Sequence, residues 1–366
     1  MSTENLSRLE KVKVSLENFK EGKSKFLFFV PDSLGVANAA VIEIYTHANV
    51  LKKQGYEVYI FCDKENYEAP SYLDQDLRSL PHKNLKKQGN NEMILNMEIS
   101  PEDFLIIPDF FTNIMETTKN LPCKRVAFVQ AYDYLVNSLL PGMTYNNFNI
   151  KNIITTSETL KKFIQEFHGD IYDIKTYKIG IPDYFKNKSI KRPAISFVVR
   201  NASDIHKVSR LFYLKYPELR WVGFEELRGL SREDFATKIG ENIATLWIDR
   251  IASHGTVPLE SMKCGSVVVG LVPDANPEYL IENSGVWVKS IYQLPDMLAR
   301  VVKMYLEDTL PAELFSGMKS ISDSYSPQIS EESIINMYKE LLADREKEYT
   351  EFFALEEAAE ASNNLI

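Results

Sequence analysis

The sequence predicts an α/β protein built from two doubly wound domains that face each other across a cleft. Units of a buried strand, a loop and a helix follow one another along the chain, which is typical of parallel sheets covered by helices. The units form two successive sets, separated by a polar and basic segment at residues 183–192. The length of 366 residues also suits two domains.

The first set begins with a polar stretch at residues 1–22 that predicts one helix, followed by an apolar run at residues 25–30 that predicts a buried strand. Residues 39–54 have the apolar spacing of a helix, which stops at Gly55. The alternating pattern of residues 56–62 predicts the next strand, so these elements form a right-handed parallel crossover. The rest of the set is predicted as strands at 103–108, 125–130, 152–157 and 177–182 and a helix at 158–168.

The second set repeats the pattern after Pro193. An apolar strand at residues 194–199 precedes a helix at residues 207–216, which ends at Pro217. The remaining elements are predicted strands at 219–223, 243–248, 266–270 and 286–288 and helices at 234–239, from 259, at 293–306 and at 330–359. We therefore expect the domain boundary in the segment before Pro193.

Composition excludes several classes of protein. Acidic residues outnumber basic ones by 51 to 42, which argues against a protein that binds nucleic acid through a broad basic surface. Cys62, Cys123 and Cys264 are far apart and odd in number, so neither a zinc site nor a disulfide framework is indicated. The N-terminus lacks the apolar core of a signal peptide, and no run approaches the ~20 apolar residues that span a bilayer. We expect a cytoplasmic protein.

Doubly wound sheets bind ligands at the carboxyl ends of their strands, and the cleft between two such domains is the natural site. The loop after the first strand contains Gly35, which lets the backbone approach a ligand, but it lacks the three-glycine fingerprint of NAD-binding proteins. Arg200 follows the strand at residues 194–199 and Lys207 lies seven residues further on, so both cations can converge on a diphosphate. The alternative is that Arg200 and Lys207 are solvated surface residues that bind no ligand.

A further candidate is the segment from His254 to Val269, where a glycine loop enters a helix. We expect Glu260 in the first turn of that helix, where the helix dipole favours a carboxylate. A carboxylate there can accept two hydrogen bonds from a ribose diol. The backbone amides of Gly255 and Thr256 can meet phosphate or sugar oxygens. The alternative is that Glu260 only caps its helix.

These segments resemble a known family. Residues 258–268 resemble the signature of GT-B glycosyltransferases, particularly glycosyltransferase family 4. Residues 274–280 and 285–288 resemble the loop and strand that follow this signature in the family. Residues 156–158, residues 178–182 and Phe185 resemble its run into the interdomain linker. The matches keep the family's order over most of the chain.

The resemblance implies a retaining, metal-independent hexosyl- or pentosyltransferase with two Rossmann-like domains, which moves a sugar from a nucleotide-diphosphate donor to an acceptor hydroxyl. It implies an acceptor domain at residues 1–185, a donor domain at residues 186–329, and a C-terminal helix at residues 330–366 that packs back on the acceptor domain. No cofactor is expected, because a UDP-, GDP- or dTDP-sugar is the co-substrate. A homodimer contact is the rival interpretation of the last helix.

The same resemblance implies roles for individual residues. Arg200 and Lys207 would stabilise the leaving diphosphate as the catalytic residues, and Glu260 would bind the ribose. The expected donor-binding residues are Gly35, Arg200, Lys207, His254, Gly255, Thr256, Glu260, Asn276 and Glu278.

Three residues are expected on the acceptor side, since Gln130, Tyr132 and Asp133 follow a strand end in the first domain. Packing beside the linker is the alternative for Tyr132. Asp74 and Asp76 form a DxD triplet, but it lies in a polar stretch, and the five histidines lack ligand spacing. We therefore expect no metal site.

One departure from the family pattern keeps alternatives open. The family often carries a glutamate eight residues before Glu260, where this chain has Ala252, and His254 is a candidate replacement. The loss is compatible with a catalytically degenerate partner subunit, and a GT-B sugar-nucleotide epimerase is a further alternative. The expected acceptor is a glycan or surface polysaccharide. A phage-type enzyme acting on hydroxymethylated DNA bases is the alternative, with phosphate contacts from the basic cluster Lys186, Lys188, Lys191 and Arg192.

Overall fold

The computed structural model describes residues 8–35, 37–62, 64, 66–88, 92–95, 97–188, 190–198, 201–251 and 255–363. The predicted site residues Arg200 and His254 lie outside the described residues, as does Ala252. The described chain forms two sheets with helices packed on them, so the predicted α/β class with two doubly wound units is confirmed.

The first sheet organises the N-terminal domain. Its strands are β1 Lys25–Val30, β2 Glu57–Cys62, β3 His82–Gln88, β4 Glu92–Leu95, β5 Phe104–Pro108, β6 Lys124–Val129, β7 Asn152–Thr155 and β8 Asp173–Thr176. They lie in the order β4-β3-β2-β1-β5-β6-β7-β8, and only β3 and β4 pair antiparallel among these described strands. Parallel pairing brings the loops after β1, β5 and β6 to one edge of the sheet.

Helices cover both faces of this sheet. They are α1 Arg8–Lys20, α2 Ala39–Lys53, α3 Gln75–Arg78, α4 Thr112–Thr117, α5 Tyr132–Ser138 and α6 Glu158–His168. The alternation of β1 explains the two layers, because successive side chains of a strand point to opposite faces. Phe26 and Phe28 join the apolar cluster that contains residues of α2, whereas Leu27 and Phe29 join the cluster that contains Leu160 of α6.

The second sheet organises the C-terminal domain. Its strands are β9 Arg192–Phe197, β10 Gly223–Glu226, β11 Asn242–Trp247, β12 Val267–Leu271 and β13 Val286–Val288, with helices α7 Ala202–Lys215, α8 Arg232–Glu241, α9 Thr256–Lys263, α10 Leu294–Leu306 and α11 Ala312–Asp323. The strands are parallel in the order β10-β9-β11-β12-β13. β11 and β12 are fully buried and rich in apolar residues, as central parallel strands require.

Two segments cross between the domains. The predicted strand at residues 177–182 is wrong, because the last strand of the first sheet is β8 and residues 177–182 form the linker. The chain returns through α12 Pro327–Asn363, whose Tyr338 packs edge-on against Phe26 and Phe28 of β1. The two crossings touch, since a Cβ on Gly180 would meet Cβ of Ser330 at 2.8 Å.

Candidate functional site

A cavity of about 270 Å³ lies where the two domains and the two crossing segments meet. One face of α2 and the segment around α3 line it from the N-terminal domain, and α8 and α9 line it from the C-terminal domain. The linker residues 180–184 and the first turns of α12 complete its wall. A ligand in this cavity would therefore touch both domains, and we call it the interdomain cavity.

Glu260 lies in the wall of the interdomain cavity. Its helix, α9, begins at Thr256 with Gly255 as the N-cap, so Glu260 lies in the second turn and the expected first-turn position is wrong. The side chain is 1% exposed, and its Oε1 accepts a hydrogen bond of 2.5 Å from Nη2 of Arg232. Oε2 has no hydrogen-bond partner among the described residues. An ion pair, and not the helix dipole alone, therefore stabilises this carboxylate.

Arg232 is a site residue that the sequence analysis missed. It is the first residue of α8, and its side chain is 15% exposed. The guanidinium lies over the rings of Phe185 and Phe235, at 5.0 and 5.5 Å from their centroids. Burial opposes its charge, but the Glu260 carboxylate raises the pKa of Arg232. The aromatic contacts and the ion pair fix the orientation of both charged groups.

Glu43, on the inner face of α2, lines the same cavity. Burial raises the pKa of the Glu43 carboxyl group to about 8, against the opposing effects of the Tyr177 hydroxyl and Arg232. Glu260 acts with burial, because a second carboxylate nearby also disfavours the charged form. Glu43 is thus a neutral acid at pH 7, and the sequence analysis did not single it out.

The predicted residues Gly255 and Thr256 form the beginning of α9, and Thr256 lines the interdomain cavity. Gly255 lies against the indole of Trp247, where a Cβ would approach the ring to 2.9 Å. The hydroxyl of Tyr279 donates to the carbonyl of Gly255 at 2.5 Å. Together these contacts hold the first amides of α9 in place, as an anion-binding helix N-terminus requires.

Other predicted donor residues lie outside the wall of the interdomain cavity. Lys207 is on α7, where its Nζ is 3.8 Å from Oδ1 of Asp204 and its side chain is 56% exposed. Gly35 has φ +76° in an exposed turn, a backbone conformation that favours glycine. Asn276 is exposed in the loop after β12. Of the predicted donor residues, Thr256 and Glu260 thus lie in the wall of the interdomain cavity, whereas Lys207, Gly35 and Asn276 lie outside it.

The predicted acceptor-side residues follow the carboxyl end of β6. The backbone amide of Gln130 donates to Oδ2 of Asp109 at 3.1 Å, and its side-chain amide donates to the carbonyl of Ala40 at 3.1 Å. Asp133 accepts a hydrogen bond of 2.9 Å from Asn137 within α5. Gln130 thus connects the end of β6 to the first turn of α2.

Hydrogen bonds cross the cleft between predicted acceptor and donor elements, and one of them joins the hydroxyl of Tyr132 to Oδ2 of Asp274 at 3.4 Å. The hydroxyl of Tyr132 donates to the carbonyl of Arg250 at 3.1 Å. Oε1 of Glu278 accepts a hydrogen bond of 3.0 Å from the backbone amide of Thr159, in the first turn of α6. The structure therefore shows a closed cleft in which Glu278, a predicted donor residue, binds the N-terminal domain.

Asp109 is a second buried carboxyl group that the sequence analysis missed. It follows β5, and burial raises the pKa of its carboxyl group to about 7 against the opposing backbone hydrogen bonds of Gln130, Ala131 and Phe110. It therefore organises the turn that carries the acceptor-side residues.

The DxD residues, Asp74 and Asp76, lie in the wall of the interdomain cavity. Asp76 accepts a hydrogen bond of 2.9 Å from Asn49 of α2. Across the described residues, no group of three or more His, Cys, Asp or Glu side chains has the arrangement of a metal site.

Within the part of the chain that the structure describes, no helix combines the length and apolarity needed to cross a membrane.

Comparison with known proteins gives one sequence relative. No family model matches the sequence. An α-1,6-glucosyltransferase of Actinobacillus pleuropneumoniae serotype 7 (strain AP76) is 24% identical over 262 residues, which cover 67% of this chain and 78% of that protein.

Solved structures match the whole two-domain arrangement. Sucrose-phosphate synthase from Thermosynechococcus elongatus superimposes with a TM-score of 0.64 at 11% identity, over 88% of this chain and 100% of that chain. The pneumococcal O-GlcNAc transferase GtfA, in complex with UDP and GlcNAc, gives 0.64 at 10% identity, over 88% and 99%. The chain has the GT-B fold.

A glucosyltransferase that was solved with DNA also matches. An α-glucosyltransferase in complex with UDP and a 13-mer DNA containing a HMU base gives a TM-score of 0.55 at 11% identity, over 89% of this chain and 100% of that chain. The sequence relative and these structures share the glycosyltransferase class, which confirms the predicted class of enzyme.

Proposed function

We propose that the chain transfers a sugar from a UDP-, GDP- or dTDP-sugar to a glycan hydroxyl with retention of anomeric configuration, and that the donor nucleoside binds in the interdomain cavity. The observation that carries the proposal is the buried carboxylate of Glu260, whose Oε2 has no partner among the described residues of the cavity. A ribose diol supplies two O–H donors to such a carboxylate. The neighbour GtfA, solved with UDP and GlcNAc, supports this donor class.

The proposed reaction needs a stabilised leaving group and a positioned acceptor. The acceptor oxygen forms a bond to the anomeric carbon on the face from which the diphosphate leaves, and the acceptor proton passes to a phosphate oxygen of the leaving group. The amides at the beginning of α9 and the cations of Lys207 and Arg200 would supply positive charge to that diphosphate. With these groups in place, the reaction requires no metal ion.

We propose a glycan or surface polysaccharide as the acceptor, bound beside Gln130 and Tyr132. The sequence relative, an α-1,6-glucosyltransferase, supports a sugar hydroxyl as the acceptor group. The hydrogen bond from the Tyr132 hydroxyl to the carbonyl of Arg250 holds this wall against the C-terminal domain. Positioning of the two reactants in this way supplies much of the rate enhancement that a transferase needs.

A DNA acceptor is the second candidate, favoured by the neighbour solved with DNA. Three of the four basic residues named for this role, Lys188, Lys191 and Arg192, make contacts with other groups of the protein. Lys191 donates to two backbone carbonyls, and burial lowers its pKa to about 8. Lys188 and Arg192 pair with carboxylates, at 3.3 Å from Glu241 and 2.8 Å from Glu225 respectively. These contacts leave little free charge for a phosphate backbone.

The decisive experiment incubates the protein with UDP-, GDP- and dTDP-sugars, with and without an acceptor glycan, and identifies products by mass spectrometry and NMR. We expect nucleoside diphosphate release coupled to a glycoside that keeps the donor's anomeric configuration. An inverted product would refute retention. Interconversion of sugar nucleotides without transfer would identify an epimerase, and neither binding nor turnover would identify a non-catalytic subunit.

A matched pair of variants tests the charge assignment. Lys207→Ala removes a proposed diphosphate contact, whereas Lys319→Ala removes another exposed lysine that pairs with an aspartate on its own helix, Asp323. We expect kcat to fall at least tenfold in the first variant and to stay within twofold of wild type in the second. Wild-type turnover in Lys207→Ala would refute its role.

A further inference from the structure

The interdomain cavity contains a carboxyl group from each domain. Glu43 enters from α2 of the N-terminal domain, and Glu260 enters from α9 of the C-terminal domain. Arg232 is close enough to influence both, since it pairs with Glu260 and favours the charged form of Glu43. The two carboxyl groups therefore belong to one electrostatic cluster that spans the domain boundary.

In each of the two carboxyl groups, one oxygen has no hydrogen-bond partner among the described residues. Oε2 of Glu43 and Oε2 of Glu260 are buried and make no hydrogen bond to any part of the chain that the structure describes. Glu43 is 7% exposed and Glu260 is 0% exposed, so bulk water does not satisfy either group. A buried polar atom without a partner destabilises the folded state. Two such atoms in the wall of one cavity indicate that the cavity receives a ligand.

The charge of the wall restricts what that ligand is. Among the described residues that line the cavity, the cationic ones are Arg232 and Lys53. The acidic lining residues are Glu43, Asp74, Asp76, Asp183, Glu260 and Glu331. A diphosphate is repelled by such a wall, whereas hydroxyl and amide groups can donate hydrogen bonds to it. An uncharged group rich in O–H and N–H donors, such as a nucleoside, therefore suits the cavity.

We infer that Glu43 is the contact of the N-terminal domain with the donor nucleoside, which is held between Glu43 and Glu260 so that its binding draws the two domains together. The inference rests on the proposed function, because it requires a nucleotide at Glu260. The neutral carboxyl group of Glu43 donates its O–H to a nucleoside oxygen, and the carboxylate of Glu260 accepts from a nucleoside hydroxyl. The two walls thus offer complementary hydrogen-bonding groups.

The test is calorimetric titration of UDP, GDP and dTDP into the full chain between pH 7.0 and 8.5. Glu43→Leu should raise the Kd of the nucleotide that binds wild type by at least tenfold, because a hydrogen-bonding group is lost from a buried contact. Thr118→Val is the control, because Thr118 is buried outside the wall of the interdomain cavity and its hydroxyl donates to the carbonyl of Ile114 at 2.6 Å. Its Kd should stay within twofold of wild type.

The pH profile separates a binding role from a packing role. The groups that face Glu43 are Arg232, Glu260 and Tyr177, and burial raises the pKa of Tyr177, which keeps it neutral in this range. Ionisation of Glu43 near pH 8 removes its O–H, so the wild-type Kd should rise about fourfold between pH 7.0 and 8.5. Glu43→Gln should bind more weakly than wild type at pH 7.0 but show no such rise.

The outcomes distinguish the two proposals. If wild type binds none of the three nucleotides, the proposed function fails. If wild type binds one and both Glu43 variants share its Kd and pH profile, the inference about Glu43 is overturned while the proposed function stands. If Glu43→Leu does not fold, the comparison of Glu43→Gln with wild type across pH decides alone.

Discussion

The raised pKa of Glu43 makes a quantitative prediction about stability. The folded protein keeps the proton of Glu43 up to about pH 8, whereas the unfolded chain releases it near the ordinary value of 4.5. Between these values the folded state binds more protons than the unfolded state, so the free energy of unfolding falls as pH rises. One pKa unit corresponds to ~1.4 kcal/mol, and the whole shift therefore destabilises the protein by roughly 5 kcal/mol above pH 8.

Replacing Glu43 by Gln removes this dependence and keeps the shape of the side chain. The free energy of unfolding of the variant, relative to wild type, should increase by ~1.4 kcal/mol per pH unit between pH 5.5 and 7.5. Other titrating groups are common to both proteins and cancel in the difference. This difference in unfolding free energy is measured by urea denaturation at three pH values, with far-ultraviolet circular dichroism as the signal.

The decisive quantity is how the difference in unfolding free energy between Glu43→Gln and wild type changes with pH, and not the size of that difference at any one pH. A buried amide without a complete set of partners adds a constant cost to Glu43→Gln, which shifts all three measurements equally. Thr118→Val serves again as the control and should differ from wild type by the same amount at every pH. A difference between Glu43→Gln and wild type that does not change with pH would refute the buried, neutral carboxyl group.

Three further predictions concern other parts of the site. The free energy of unfolding of Asp109→Asn, relative to wild type, should also increase with pH, up to about pH 7, because burial raises the pKa of Asp109 to about 7. A difference in unfolding free energy that does not change with pH would contradict this prediction. Arg232→Leu leaves the buried carboxylate of Glu260 unpaired and should cost about 3–5 kcal/mol in urea denaturation; a loss below about 1 kcal/mol would show that the pair is not buried in solution. Tyr132→Phe removes a hydrogen bond across the cleft and should favour an open form by roughly 1 kcal/mol, seen as a larger radius of gyration in small-angle scattering. If the scattering curve of Tyr132→Phe is the same as that of wild type, contacts other than this hydrogen bond keep the interdomain cleft closed.

Much of the fold follows from local sequence patterns. β1 and β12 are short apolar runs that can only be buried, and their predicted positions agree with the structure to within a residue. β3 was missed because its sequence is mostly polar and lacks apolar alternation, and β4 was missed because it is only four residues long. Backbone pairing with neighbouring strands defines both. Residues 177–182 resemble a strand because Tyr177, Ile179 and Ile181 are buried where the linker crosses between the domains.

The site could be predicted only where one segment carries the signal. Glu260 was found because it lies in a contiguous motif beside Gly255 and Thr256. Arg232 and Glu43 come from segments far from that motif, and only folding brings them into the interdomain cavity. A single charged residue on a helix also has the pattern of a solvated surface position, so local sequence does not mark it as buried.

The return of α12 to the first sheet has a consequence for the synthesis of the chain. His47 of α2 bonds to the hydroxyl of Tyr338 across 291 positions of sequence. At the usual rate of translation, roughly 15–60 s separate these two residues at the ribosome. During that interval Tyr338 does not yet pack on Phe26 of β1, so this apolar surface is exposed and can aggregate or bind chaperones. A circular permutant that starts with α12 would complete this core first and should yield more soluble protein.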